Sequence, residues 1–502
     1  MTKDSLIIEN ESLKLENKSL KEQLESFRRL VFSAKSERFI PVDEKQMDLF
    51  NSDAHTQSPQ KETEHIVIEK YSREVKKKSK HKGRSLLTTL GHLPCNEVVI
   101  EVEHEENDIC IGQVERCSLG YTPGQFFINK EVVKKYKNPE TGNISKPNFP
   151  VQAIPSCEAH ISLLVYICVA KFVDHLPEHR QQKIFKRDGV AIAPSTMNGW
   201  VHKCADVLRP MSDHIGKLII QSGCIMIDES TIKVLKCKKS KSHTGWMWVI
   251  YSAALKGVQF IYHTGREHNF AKELLRDYEG KYQSDGYQGY DRIDALNKNA
   301  DHSNCNAHAR RKFENALTND KARATYAMML YQKLYDLERK LRRYKEQKED
   351  LSQEQYYAYR TTQRSQLVPV IEQYKQWLDE QYHKVLPKSS IGKAMHYVMN
   401  RWTKLTKYIF DGELEIDTNL IENTIRGLAL GRKNYLFAGN PKAASNIAVF
   451  YSIFGTCKHL GINPTEYLAW YLEKVASIKI CDIASLSPWE FMKITQTEKN
   501  MP

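Results

Sequence analysis

Apolar positions recur with several different periods along the chain, and each period predicts its own kind of element. Leu6, Leu13, Leu20 and Phe27 are seven residues apart. Taken as d positions, they put Asn10, Asn17, Leu24 and Val31 at a. That is the outline of a short coiled coil in which buried Asn fixes register and favours two strands. A coiled coil is therefore expected over 1–50, pairing copies of the chain into a homodimer or larger assembly. Residues 51–84 carry no periodicity and read as a polar, then basic, linker. From 85 to 155 apolar and polar residues alternate, as in Glu97-Val-Val-Ile-Glu-Val-Glu103 and Phe126-Phe-Ile-Asn-Lys-Glu-Val-Val133, which predicts a small β-rich domain.

The period turns helical over 156–220. Within it, His179 to Trp200 reads as a helix, an Asp188-Gly189 turn and a second helix beginning at Pro194-Ser195-Thr196, with Ser195 or Thr196 as its cap. This is a helix-turn-helix outline with a candidate DNA-reading helix, although helical hairpins are common and the pattern alone does not assign DNA. Strands and short helices are expected over 222–304, polar helices over 306–400, and apolar helices over 416–477, punctuated by Gly461 and Pro464. Residues 478–502 read as a tail.

Charge adds a partner to this outline. Among 502 residues Lys plus Arg number 74 against 61 Asp plus Glu, a net charge of +13, and such an excess favours a polyanion, most often nucleic acid. Lys76, Lys77, Lys78, Lys80, Lys82 and Arg84 lie close together in the linker; such a run neutralises phosphates without reading sequence. The eleven cysteines contain no C-x-x-C pair, which argues for a reducing compartment. The first residues lack the shape of a signal peptide, and the apolar run near Ile161 to Ala170 is too short to cross a bilayer. A cytoplasmic protein with no membrane partner is expected.

Three acids then suggest chemistry. Asp228 ends the apolar run Ile225-Met-Ile, and an acid in a buried strand is costly unless paired or bound to a metal. Asp285 stands before Gly286, a residue that lets backbone approach a ligand closely, although Asp-Gly is also an ordinary turn. Glu422 follows Asn419 by three, the spacing of a helix capping box, which gives it a structural reading as well. Taken together, two strand aspartates and a distal helix glutamate match the needs of two-metal phosphoryl transfer. Two Mg²⁺ or Mn²⁺ ions would be held by carboxylate oxygens. Arg310, Arg311, Lys312, Arg426, Arg432 and Lys433 are placed to grip a DNA strand. His302, Cys305 and His308 form an H-x₂-C-x₂-H cluster with no evident fourth ligand, so His308 is read as touching DNA or substrate phosphate rather than zinc.

At this point the chain resembles the large DDE transposases of the insertion-sequence sixty-six family, transposase C type. The residues that carry the resemblance are Val173-Asp-His-Leu-Pro177, Ser195-Thr196 with Trp200, Ile227-Asp-Glu-Ser-Thr231, Ser284-Asp-Gly-Tyr287, Asn306-Ala-His-Ala-Arg-Arg-Lys-Phe313, Glu415-Ile-Asp-Thr-Asn-Leu-Ile-Glu-Asn423 and Gly431-Arg-Lys-Asn-Tyr-Leu-Phe-Ala-Gly439. The resemblance implies an α/β catalytic core, ribonuclease H-like with a mixed sheet, split into 221–313 and 411–477 by a helical insertion over 314–410. It also implies that Asp228, Asp285 and Glu422 are the catalytic and metal-binding acids. The implied activity is a bacterial DNA transposase that cleaves element ends and joins the 3′-hydroxyl to target DNA. Its implied partners are terminal inverted repeats, target DNA and small accessory proteins of the same element, with the protein associated with the nucleoid. A catalytically silent DNA-binding relative, or a ribonuclease H-like nuclease without strand transfer, are the alternatives. Two departures stand out. Cys95, Cys110 and Cys117 lack the family's paired-cysteine zinc segment, and Arg426-Gly427 replaces its Arg-Pro; the missing proline predicts a locally looser helix.

Overall fold

In the computed structural model the described residues are 124–127 and 151–499, apart from 156, 236–241, 266–268 and 349. The expected coiled coil, linker, Lys76–Arg84 run and linker-proximal cysteines lie outside them, as does most of 85–155. Within that span, 124–127 and 151–155 contain no strand.

Three helices come first, α1 (Ile161–Phe172), α2 (Glu178–Arg187) and α3 (Pro194–Gln221). The α2–α3 turn at Asp188-Gly189 is as expected, with Gly189 at φ +83°. The cap is not. Ala193 is the N-cap and Pro194 the first helical residue, because the fixed φ of proline suits that position; Ser195 and Thr196 are thereby drawn inside the helix. The long α3 then runs into the core, burying Met197, Val201, Cys204, Leu208 and Met211 on one face.

Next comes the sheet: β1 (Cys224–Leu235), β2 (Ser242–Ser252), β3 (Gly257–His263), α4 (Asn269–Leu275), β4 (Gly280–Ser284), α5 (Gln288–Leu296) and β5 (Ala300–Asn304). The strand order is β3-β2-β1-β4-β5. β2 pairs antiparallel with both neighbours, while β1, β4 and β5 run parallel, so β2 alone is reversed. Met247 to Ser252 of β2 is buried on both faces, the mark of a sheet covered by helices on each side.

Helices α6 (Asn306–Ala316), α7 (Lys321–Gln347), α8 (Gln353–Arg364), α9 (Val368–Tyr382), α10 (Ser390–Asn400) and α11 (Trp402–Phe410) run through the span where a helical insertion over 314–410 is expected, and have a core of their own around Phe313, Tyr331, Leu378, Met395 and Ile409. α12 (Asn419–Tyr435) then returns to the sheet, followed by α13 (Pro441–Leu460) and α14 (Pro464–Lys474). α12 passes through Gly427 without a break, so the missing proline does not loosen it. α13 is buried on nearly every side and covers the edge strand. Ser452 Oγ accepts Phe260 N–H at 2.8 Å and Thr456 Oγ1 accepts Val258 N–H at 3.1 Å, which closes an edge that would otherwise invite pairing. Residues 478–499 are no loose tail. A 3-10 stretch and α15 (Pro488–Lys499) pack on the core, with Tyr467 Oη donating to Leu486 O and Trp489 Nε1 to Leu255 O. No helix among the described residues is long and apolar enough to cross a membrane, and their seven cysteines are all free.

A candidate active site at the carboxyl end of two parallel strands

Strand register brings the two aspartates together. β1 and β4 pair in parallel with Met226 opposite Gln283. Asp228 on β1 and Asp285, one residue past the end of β4, each lie two residues further on, at the same end of these adjacent strands. Glu422 joins them from the first turn of α12. Asp228 reports the crowding: burial pushes its carboxyl up to about 7, and the negative charges of Glu229, Asp285 and Glu422 push in the same direction. Asp228 Oδ1 accepts the Glu229 N–H at 2.8 Å, and Asp285 Oδ1 accepts the Tyr287 N–H at 2.9 Å.

The capping-box reading of Glu422 is overturned. Thr418 is the N-cap, without a side-chain cap bond, and Asn419 is already helical. Asp417 does the capping instead: its Oδ1 accepts Asn419 N–H at 3.0 Å, and its Oδ2 accepts Asn419 Nδ2 at 2.9 Å and Tyr335 Oη at 2.8 Å. Glu422 is thereby released from structural duty. Its Oε1 is buried with no hydrogen-bond partner, His308 Nδ1 lies 3.8 Å from it, and Arg311 Nη2 is 3.7 Å from Oε2.

Gly286 also has a different reason from the expected one. A Cβ there would lie 2.1 Å from the Tyr397 hydroxyl, so a tyrosine of the insertion, not a ligand, is what approaches closely. Arg401 Nη2 donates to Gly286 O at 2.8 Å, which holds the loop beside Asp285 from the same side.

The basic residues divide into two groups. Arg432 Nη1 donates to Ser230 Oγ at 3.0 Å, to Thr231 Oγ1 at 3.2 Å and to Thr231 O. It ties α12 to the acid-bearing strand through Nη1. Arg310 is nearly buried and pairs with Glu314 at 3.5 Å. Arg426 and Lys433 are exposed. With Glu422 they fall on one stripe of α12, at offsets of four and eleven residues. Lys312 is exposed too, with its Nζ 4.6 Å from the centre of the Tyr397 ring.

His302, Cys305 and His308 do not share a helix. His302 is on β5, Cys305 is the N-cap of α6 and His308 is in that helix's first turn. His302 Nδ1 pairs with Asp294 Oδ2 at 2.8 Å, and its Nε2 faces Ser284 Oγ at 2.8 Å and Asn304 Nδ2 at 3.1 Å. This has the outline of a Ser-His-Asp triad, but Ser284 is 0% exposed, so no substrate carbonyl can reach it. The relay instead braces the residue next to Asp285, with Lys404 closing it on Asp294 at 2.6 Å and Asp291 at 2.7 Å. Burial lowers the His302 pKa, opposed by Asp294.

The sequence reading also missed the residues that hold the connector 411–418, which carries α12. The Gln283 side chain pairs with the Glu415 backbone through both ends of its amide, at 2.8 and 2.9 Å. Asn306 donates from its N–H and its Nδ2 to Ile416 O at 3.1 and 3.2 Å. Arg364 donates to Tyr408 O, Asp411 O and Leu414 O, and Arg360 to Gly412 O. The only sequence signal was the i, i+4 spacing of Arg360 and Arg364, which an ordinary solvated helix face also shows.

Comparison with known proteins gives the family. The model of the "Transposase IS66 family" matches residues 157–446, more than half of the chain. The chain belongs to the IS66 transposase family. The matched span contains all three acids and the whole insertion, and stops inside α13. A second model, described as "Transposase C of IS166 homeodomain", matches residues 19–98, outside the described residues. Two relatives from Sinorhizobium fredii are similar over most of their length. Uncharacterized protein y4jD is 26% identical over 92% of this chain and 93% of its own, and uncharacterized protein y4qI is 27% identical over 80% and 76%. Family membership makes this a DNA-processing protein of the transposase class, with DNA as its partner.

Proposed function

We propose that this protein cleaves the ends of an insertion element and joins the freed 3′-hydroxyl to target DNA, on a ribonuclease H-like core. The observation that carries the reading is the convergence of Asp228, Asp285 and Glu422, with Asp228 pushed up by its neighbours and Glu422 Oε1 left without a hydrogen bond. A five-stranded order of 3-2-1-4-5 with only β2 reversed supports the core assignment, since its parallel half brings acids from β1 and β4 to one end.

The donor set fits divalent magnesium or manganese, because all three acids offer hard oxygens and Glu422 Oε1 lacks any other partner. Two such ions would supply an activated oxygen nucleophile and charge at the leaving oxygen. The chain's own residues do the rest. Asp228 and Asp285 set one wall, Glu422 closes the other, and Arg311 beside Glu422 brings positive charge for a phosphate. Arg426 and Lys433 continue that charge along α12, where a DNA backbone would lie. Cleavage forms a bond from water oxygen to phosphorus and releases the 3′ oxygen as a hydroxyl. In joining, that oxygen bonds to a target phosphorus and displaces a second 3′ oxygen. Both steps depend on positioning and charge rather than on a covalent enzyme intermediate.

The test is to incubate the full chain and Mg²⁺ with linear DNA carrying the element's inverted repeats. Nicked and joined products are expected from the wild type, and neither from Asp228→Ala. Products that survive that substitution sink the assignment, while nicking without joining leaves a nuclease.

A further inference from the structure

One neighbour of the acid cluster, His308, has no role in the reading above. His308 Nδ1 and Glu422 Oε1 are both buried, neither has a hydrogen-bond partner, and they face each other across 3.8 Å. That gap is too wide for a hydrogen bond, and leaving both groups unsatisfied is costly. Nothing local fills it. Arg311 approaches the other carboxylate oxygen, Oε2, at 3.7 Å. Cys305 Sγ lies within 4.8 Å of both ligand atoms, but it already accepts the Thr418 N–H at 3.3 Å.

The two segments that carry these side chains are tied together. His308 sits in the first turn of α6, and Asn306, two residues before it, bonds twice to Ile416 O, six residues before Glu422. Two ligand atoms each about 2.1 Å from one ion lie roughly 3.0 Å apart when cis and about 4.2 Å apart when trans. The observed 3.8 Å falls inside that span. We infer that His308 is a nitrogen ligand to the divalent cation that Glu422 holds. This rests on the two-ion reading above and deepens it. One ion position becomes a mixed nitrogen–oxygen site, while the Asp228–Asp285 side remains all oxygen. Imidazole favours Mn²⁺ over Mg²⁺, whereas carboxylates serve both. The two positions therefore differ in preference, and the Glu422 side selects manganese.

Electron spin-echo spectroscopy of the full chain loaded with Mn²⁺ tests this, with histidine carrying either ¹⁴N or ¹⁵N. The wild type should give nitrogen modulation that follows the histidine label. His308→Asn should lose it and bind Mn²⁺ about tenfold or more weakly, while Mg²⁺ affinity changes by less than about threefold. Mn²⁺ bound without histidine modulation, or modulation that persists in His308→Asn, overturns the inference and leaves a direct His308–Glu422 contact without a metal. A wild type that binds no Mn²⁺ removes the two-ion reading itself, a separate and distinguishable failure. If His308→Asn does not fold, His308→Gln provides the same comparison with a longer neutral side chain.

Discussion

The protein buries acidic residues in two places and treats them in opposite ways. In the insertion, Glu338 and Glu415 meet Arg360 and Arg364: Arg364 grips both oxygens of Glu338 at 2.7 and 3.0 Å, and Arg360 reaches Glu415 at 2.9 Å. Burial pushes the Glu415 pKa up, but Arg360 and Arg342 outweigh it and the result is lowered. At the strand ends, the Glu229 N–H offsets the burial of Asp228 only in part, neighbouring acids add to it, and the carboxyl is pushed up to about 7. In the first arrangement each carboxylate is neutralised without any ligand. In the second, Asp228 is not, and that difference separates a scaffold from a site.

The largest expected break between the two regions is in activity. Asp228→Asn should lower DNA nicking roughly a thousandfold, about 4 kcal/mol of barrier, with circular dichroism unchanged and the metal-free melting temperature equal or higher. A variant that loses its fold along with its activity would make Asp228 structural after all. The mirror experiment is Arg364→Ala. It leaves Glu338, 1% exposed, with only the 3.3 Å contact to Arg360 Nη2 and frees the carbonyls of Tyr408, Asp411 and Leu414. A loss of about 3–5 kcal/mol in denaturant unfolding is expected. A change under about 1 kcal/mol would mean that the insertion's charges are better solvated than their burial implies.

These contrasts mark what the sequence could reveal. The acids were legible because an apolar run ending in Asp228, an Asp285-Gly286 turn and Glu422 among apolar helix positions each break a local pattern. Strands over 222–304 and helices over 306–400 were legible from periodicity. The buried arginines were not, because Arg360 and Arg364 on a polar helix look like any solvated pair. The tie that Arg432 makes is hidden for a similar reason: charge is visible in sequence, but its partners Ser230 and Thr231 lie some 200 residues away. The capping box failed to a closer competitor, since Asp417 reaches Asn419 N–H first. Ser195 and Thr196 lost their cap role to the fixed φ of Pro194.

Acidity sharpens the comparison. In EDTA the chain should lose stability as pH rises from about 4 through about 7. The folded pKa of Asp228 is raised above its usual 3.8, so its contribution is full below that value and is lost as pH climbs through about 7. Partial screening by solvent leaves about 1–3 kcal/mol of effect. Adding Mg²⁺ should flatten the slope, and Asp228→Asn should abolish this part of it. A slope of the same size in Asp228→Asn would assign it to other groups.

The smallest effect is expected where the two regions join. Gln283 lies on β4 two residues before Asp285, and its amide is bonded at both ends to Glu415, in the connector that leads into Glu422. Gln283→Ala should cost only about 1–2 kcal/mol of stability. It also removes the direct link between the second acid's strand and the third acid's helix, so Mn²⁺ affinity should fall with it while DNA binding is kept. Gln283→Glu keeps an acceptor for Glu415 N–H but cannot donate to Glu415 O, and it should fall between the two. If both variants lose stability but bind Mn²⁺ as tightly as the wild type, the insertion supports the fold without setting the site. A proportional loss of metal binding would mean that the fully paired region sets the geometry of the unpaired one.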